Sequence, residues 1–190
     1  MHIKTFINFS CPITNNMASA TTITSVPAKI QIVKDGYKIK SKGVFNMEDL
    51  YLELYLWFQH HGYAVKELEY RVVQRPGGPN HIEILWHGTK IVDDYTSYII
   101  TLNVGADLSD VEVTLDGGKK VNRQKGMLEF RSGARIERKT DVWEGKLLGN
   151  MQAHVYDMLI QDRIKAQKAE LFMEAHKLYD ELKAFMMLYR

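Results

Sequence analysis

The sequence predicts an α+β fold: an antiparallel β-meander packed with one short amphipathic helix and a long C-terminal helix. Three observations predict it. Residues 47–61 repeat apolar side chains at helical spacing, residues 63–139 alternate them with a period of two, and residues 151–190 contain neither Gly nor Pro. At 190 residues the chain is long enough to bury a real core, and 45% hydrophobic with 25% charged residues is ordinary globular composition. The expected organisation is a flexible leader or extended arm over 1–28, an α+β body over 29–140, and a helix over 141–190. That helix is expected to pack on the body, on a partner, or on both.

The leader imitates a secretory signal without completing one. Lys4 precedes a short apolar run and Ala18-Ser19-Ala20 resembles a cleavage site, but Asn8, Ser10, Pro12, Asn15 and Asn16 interrupt the apolar stretch. A plain leader, or a start at Met17, is the simpler expectation. Asn8-Phe9-Ser10 matches a glycosylation sequon that matters only in a secretory context. Cys11 is the single cysteine, so no internal disulfide can form. A cytoplasmic location, or a place within a macromolecular assembly, is expected, without a membrane span.

The elements follow in order. Ile30, Ile32, Tyr37 and Ile39 alternate around Asp35-Gly36 and read as a β-hairpin. Asn46 offers a helix N-cap with Asp49 as its capping-box acid, and Met47, Leu50, Leu54, Trp57, Phe58 and His61 form one apolar face ending at Gly62. Strands then place Leu68, Tyr70 and Val72 on one face, followed by Ile82, Ile84 and Trp86, and then by Tyr98, Ile100, Leu102 and Val104. The segment RPGGPN at 75–80 reads as a turn, and Asp116-Gly117 as a hairpin. Leu128, Phe130, Ala134 and Ile136 point inward, Glu129, Arg131, Arg135 and Glu137 outward, with a bulge expected at Gly133.

The tail carries the strongest pattern. Ile164, Leu171, Leu178 and Phe185 recur every seven residues, and Ala175, Leu182 and Tyr189 do so on the neighbouring track. This is a coiled-coil-like seam broken by Lys168, and it is expected to bind a partner or a second copy. The opposing expectation is that the helix breaks or folds onto its own sheet. A separate stripe of Val155, Leu159, Ala166, Ala169, Met173 and His176 is expected to face the sheet.

No catalytic, cofactor or metal set emerges. His60 and His61 adjoin, but successive helix residues diverge by about 100°, and helical metal ligands are spaced four apart. Both lie in the last helical turn, where an imidazole suits the negative end of the dipole. Asp93 and Asp94 point to opposite faces of a strand. Neither NVGADLSD nor LDGGKK has the spacing of a phosphate or calcium loop.

Charge is the other signal. Lys119, Lys120, Arg123, Lys125, Arg131, Arg135, Arg138 and Lys139 face only Glu129 and Glu137 between residues 117 and 139. A basic ribbon of this kind suits an anionic partner, nucleic acid or acidic protein, although exposed strands also use such charges to resist edge pairing. The element order is compatible with a helix-grip arrangement, a likeness of topology only, in which Trp57, Trp86, Tyr98 and Phe130 would line a ligand cavity. The leading expectation is a non-enzymatic structural or assembly protein, a homo-oligomer or a component of a larger complex. An apolar-ligand domain and a nucleic-acid binder are the alternatives.

Overall fold

The computed structural model describes residues 26–114, 118, 120–143 and 148–188. Five strands, β1 (Lys29–Phe45), β2 (Ala64–Val73), β3 (Asn80–Ile91), β4 (Thr96–Thr114) and β5 (Lys120–Arg138), form one antiparallel sheet in the order β1-β5-β4-β3-β2. The first strand therefore pairs with the last, and β2 is left at the far edge. Helix α1 (Met47–His60) connects β1 to β2, and α2 (Gly149–Leu159) and α3 (Gln161–Leu188) follow β5. The α+β class expected from the sequence is the class observed.

Both long helices cover one face of the sheet. Alternation supplies that face with Ile84, Trp86, Tyr98, Ile100, Leu102, Val104, Leu128, Phe130, Ala134 and Ile136, all buried. Leu50, Leu54, Trp57 and Phe58 of α1 join the same core, as do Leu171, Ala175, Leu178, Leu182 and Met186 of α3. Helix α1 lies over β2 and α3 over β1 and β5. The opposite face carries the alternate residues, charged chiefly on β1, β2 and β5.

Local expectations changed in five places. Residues 29–45 are not a hairpin but one strand running the length of β5, with register shifts between Gln31 and Val33 and between Val33 and Tyr37. Gly36, at φ +68°, lies inside that irregular stretch; a Cβ there would stand 2.8 Å from the Ser132 carbonyl oxygen. The bulge expected at Gly133 thus belongs to the opposing strand. Asn46 does precede α1, but its side chain makes no capping bond; the Met47 amide donates instead to Gln124 Oε1 at 3.3 Å.

In β2 the register slips between Glu67 and Glu69, so Leu68 falls out of phase with Tyr70 and Val72. The tail is two helices, α2 and α3, meeting at Ile160, so α3 spans about 42 Å at 1.5 Å per residue instead of one continuous rod. Residues 26–28, expected as linker, are tied to the body: Val26 is buried, Arg138 N donates to Ala28 O, and the Arg138 guanidinium donates to Pro27 O. Residues 1–25, with Cys11, the sequon and the cleavage-site mimic, lie outside the described residues, as do Asp116 and Gly117.

Candidate interaction surface

The heptad seam is spent within the chain. Leu171 and Leu178 have no exposed surface, and Ile164, Ala175 and Leu182 are buried; Phe185 packs at the margin of the core. Tyr189 lies outside the described residues. These side chains, expected to bind a partner, instead seat α3 on its own sheet. The two faces of the tail have exchanged roles, because the stripe expected to meet the sheet is outward: Val155, Leu159, Ala166, Ala169 and Met173 are all exposed. His176 is exposed as well, although its ring centroid lies 5.8 Å from that of Tyr37. A heptad repeat reports an apolar stripe and says nothing about whose surface covers it.

Polar side chains fix α3 in register on the sheet. Tyr63 donates to Glu174 Oε2 at 2.5 Å, Lys90 to Glu174 Oε1 at 2.6 Å, and Tyr98 to Glu170 Oε2 at 2.8 Å. One turn earlier Gln167 donates to Asp93 Oδ2 at 2.9 Å. Burial, reinforced by the neighbouring carboxylates, raises both tyrosine pKa values far above the ordinary phenol value. Burial opposes ionisation of Asp93, but bonds from Tyr95 N, Gln167 and Thr96 N outweigh it and hold the carboxyl below its usual range. Each bond ties the helix to a strand or to a strand end, so the cluster positions α3.

The basic ribbon divides by strand face. Arg138 points inward with only 2% of its side chain exposed; it is bonded to Asp157 and Pro27 and unavailable to an anionic partner. Arg131 pairs with Glu129 at 2.6 Å, Arg135 with Glu137 at 2.9 Å and with His87 Nε2 at 3.1 Å, and Lys120 with Glu112 at 3.2 Å. Burial and then the Arg135 charge lower the His87 pKa. Arg123 and Lys125 remain on the outer face, Lys139 is exposed, and Lys119 lies outside the described residues. Register adds cations that the sequence pattern did not associate with this patch: Lys38 lies opposite Arg131 and Lys40 opposite Glu129, with Lys42 next on the same face.

The four aromatic residues expected to line a ligand cavity are buried. Trp57, Trp86, Tyr98 and Phe130 interlock in the core. The space beside Trp86, lined by Met47, Leu50, Tyr51, Leu54, Ile84 and Val104, is about 10 Å³, room for no more than one water. The adjacent histidines close a helix: the ring Nδ1 of His61 lies 2.9 Å from the Trp57 carbonyl oxygen and the ring stacks on Trp57 at 4.1 Å, while His60 is exposed. Among the described residues no three His, Cys, Asp or Glu side chains converge as a metal site. Also among these residues, no helix is long and apolar enough to cross a membrane.

A second apolar surface open to solvent among the described residues is formed by α1 and β2. Below α1, Leu50, Leu54, Trp57 and Phe58 are buried; above it Tyr51, Leu52, Tyr55 and Leu56 form a second face, with Leu52 55% and Leu56 49% exposed. Tyr51 reaches over β2 to donate to Glu67 Oε2 at 3.0 Å. On β2 Tyr70 and Val72, of the helix-covered face, are exposed, as are Leu68 and Val73, which do not share that face. Sequence reasoning missed this surface by assigning α1 one apolar face. The signal was there: in MEDLYLELYLWFQH the polar residues are confined to Glu48, Asp49, Glu53, Gln59 and His60. On its other flank α1 is separated from α3 by an open groove of about 1090 Å³, lined by Leu54, Trp57, Leu178 and Leu182 together with Glu53 and Lys177.

No protein-family model matches this sequence, and neither a curated protein nor a solved structure matches it significantly.

Proposed function

We propose that this chain is a non-enzymatic structural protein that self-associates within an assembly, and that its contact surface is the exposed apolar side of α1 together with β2. The observation that carries this reading is the second apolar face of α1, on the same side of the sheet as the exposed Tyr70 and Val72 of edge strand β2. A monomer gains nothing from exposing Leu52, Leu56, Tyr70 and Val72 together, and contiguous patches of this kind mark interaction sites. The reading keeps the self-association expected from the sequence and moves it from the C-terminal seam. The outward stripe of α2 and α3, with Val155, Leu159, Phe172 and Met173 exposed, offers a second contact for a larger complex.

Light scattering after size exclusion tests it. The expected result is a salt-resistant, concentration-dependent oligomer that Leu52→Asp with Leu56→Asp converts into a folded monomer. A wild-type monomer at every accessible concentration would sink the reading.

A second reading has its own observation. Lys38, Lys40, Lys42, Arg123, Lys125 and Arg131 share the outer face of β1 and β5 with Glu129 as the nearest carboxylate. Residues two apart on a strand lie about 6.7 Å apart, a spacing that can follow a phosphate backbone. Binding that is steeply salt-dependent and weakened by Lys40→Ser with Lys42→Ser would favour it; salt-independent binding would exclude it.

A further inference from the structure

We infer that the self-association contact is a two-fold pairing of β2 with β2 of a second copy, in the register that sets Glu69 opposite Arg71. Two five-stranded sheets thereby become one of ten. The inference rests on the self-association reading and specifies its geometry.

The two edges of the sheet differ. Edge β1 is broken by two register shifts and lined with Lys29, Lys38, Lys40 and Lys42, devices that discourage strand addition. Edge β2 hydrogen-bonds to β3 on one side only. From Glu69 to Val73 it is regular in register and exposes Tyr70, Val72 and Val73. An exposed apolar edge with an unused row of backbone donors and acceptors is a template for another strand.

Register follows from face and charge. Pairing about a two-fold axis normal to the sheet keeps both α1 helices on the same side and requires each residue to meet one of its own face. From Glu69 onward, Tyr70 and Val72 belong to the helix-covered face, opposite Ile84 and Ile82; Glu69, Arg71 and Val73 belong to the outer face. Centring the axis on Glu69 sets carboxylate against carboxylate, and centring it on Arg71 sets guanidinium against guanidinium. Centring it on Val72 sets Arg71 against Val73, which leaves the Glu69 and Arg71 charges unmatched, and runs out where the strand ends.

Centring it on Tyr70 places Glu69 opposite Arg71 twice and Tyr70 on Tyr70, and the regular pairing ends where Val72 meets the register slip at Leu68. Within one copy Glu69 and Arg71 are 3.7 Å apart, and Arg71 is shared with Glu83, so Glu69 has spare capacity for a second cation. A closed, isologous contact follows. Its occupant is a second copy because β2 is its own charge complement.

Charge reversal with mixing tests this. Glu69→Arg leaves Arg at both positions, and Arg71→Glu leaves Glu at both. Each variant alone should lose its dimer by at least tenfold in dissociation constant, and a 1:1 mixture should regain it as a mixed dimer by native mass spectrometry. Variants that dimerise like wild type would overturn the pairing while leaving self-association intact, provided that Leu52→Asp with Leu56→Asp still gives a monomer. Two monomeric variants that do not recombine would overturn the register. A wild-type monomer would overturn this inference and its parent together. Amide hydrogen exchange on the wild type covers the case in which a variant fails to fold: amides within 69–73 should gain protection as protein concentration rises, and unchanged exchange counts against the pairing.

Discussion

Glu129 sits among Lys40, Arg131 and Lys38 at 2.6, 2.6 and 3.1 Å on the outer face of the sheet. Those three cations hold its carboxyl at a pKa of about 2, Lys40 contributing most. A depressed carboxylate pKa stabilises the fold above the unfolded-state pKa, and that contribution is lost as pH falls toward 2. The Glu129 carboxyl should therefore titrate near 2 by NMR, and Glu129→Gln should weaken the acid dependence of stability; a midpoint in the ordinary carboxylate range contradicts the geometry. Gly126 is a second case, since a Cβ there would lie 1.9 Å from the Asp107 carbonyl oxygen of β4. Gly126→Ala must move a central strand, and its urea midpoint should fall sharply. Arg138→Ala should cost about 2–4 kcal/mol in urea unfolding, because it strands Asp157 and frees the Pro27 carbonyl. None of these three roles was legible in the sequence, where Glu129 and Arg138 looked like equal members of one charged ribbon. Strand alternation makes Arg138 an inward residue, but the depth of the core at the end of β5 decides that it is buried.

The C-terminal helices separate pattern from partner. Every described heptad position except Phe185 at its margin is buried, so Leu171→Ala should cost about 2–5 kcal/mol, whereas the adjacent Phe172→Ala should stay within about 0.5 kcal/mol. Thermal or urea denaturation of the two variants reads the difference; equal costs would mean that α3 is turned differently on the sheet. Leu171→Asp with Leu178→Asp should unfold the chain instead of dissociating an oligomer. Helical periodicity located α1 with its buried stripe and picked out the two apolar stripes of the tail. It could not decide which stripe meets the sheet, because Val155, Leu159 and Met173 are as apolar as Leu171 and Leu178. The polar bonds from Tyr63, Lys90, Tyr98 and Asp93 make that choice, joining residues 72 to 111 positions apart in the chain.

Across the described residues, one face of the sheet is covered by helices, the other is largely polar, and β2 from Glu69 to Val73 is the more regular edge. The concentration dependence of solution mass is the expectation proper to this level: a dimer that survives high salt, since its contact is largely apolar and backbone-mediated. Loss of the dimer at high salt alone would point to the charged face instead. A two-fold contact at β2 leaves both β1 edges and both outer faces free, so dimerisation and anion binding can be measured independently.

Alternation over 63–139, helical repeats at both ends and the Gly-rich turns dictated the α+β class, the helix positions and most inward residues, because these follow from local geometry that each segment imposes on itself. Tertiary structure decided the rest. It paired residues 29–45 with β5 instead of folding them on themselves, turned the heptad seam inward and buried Arg138. It also left β2 at the edge. Which surfaces remain for a partner depends on what every other segment has already covered, and no local pattern carries that information.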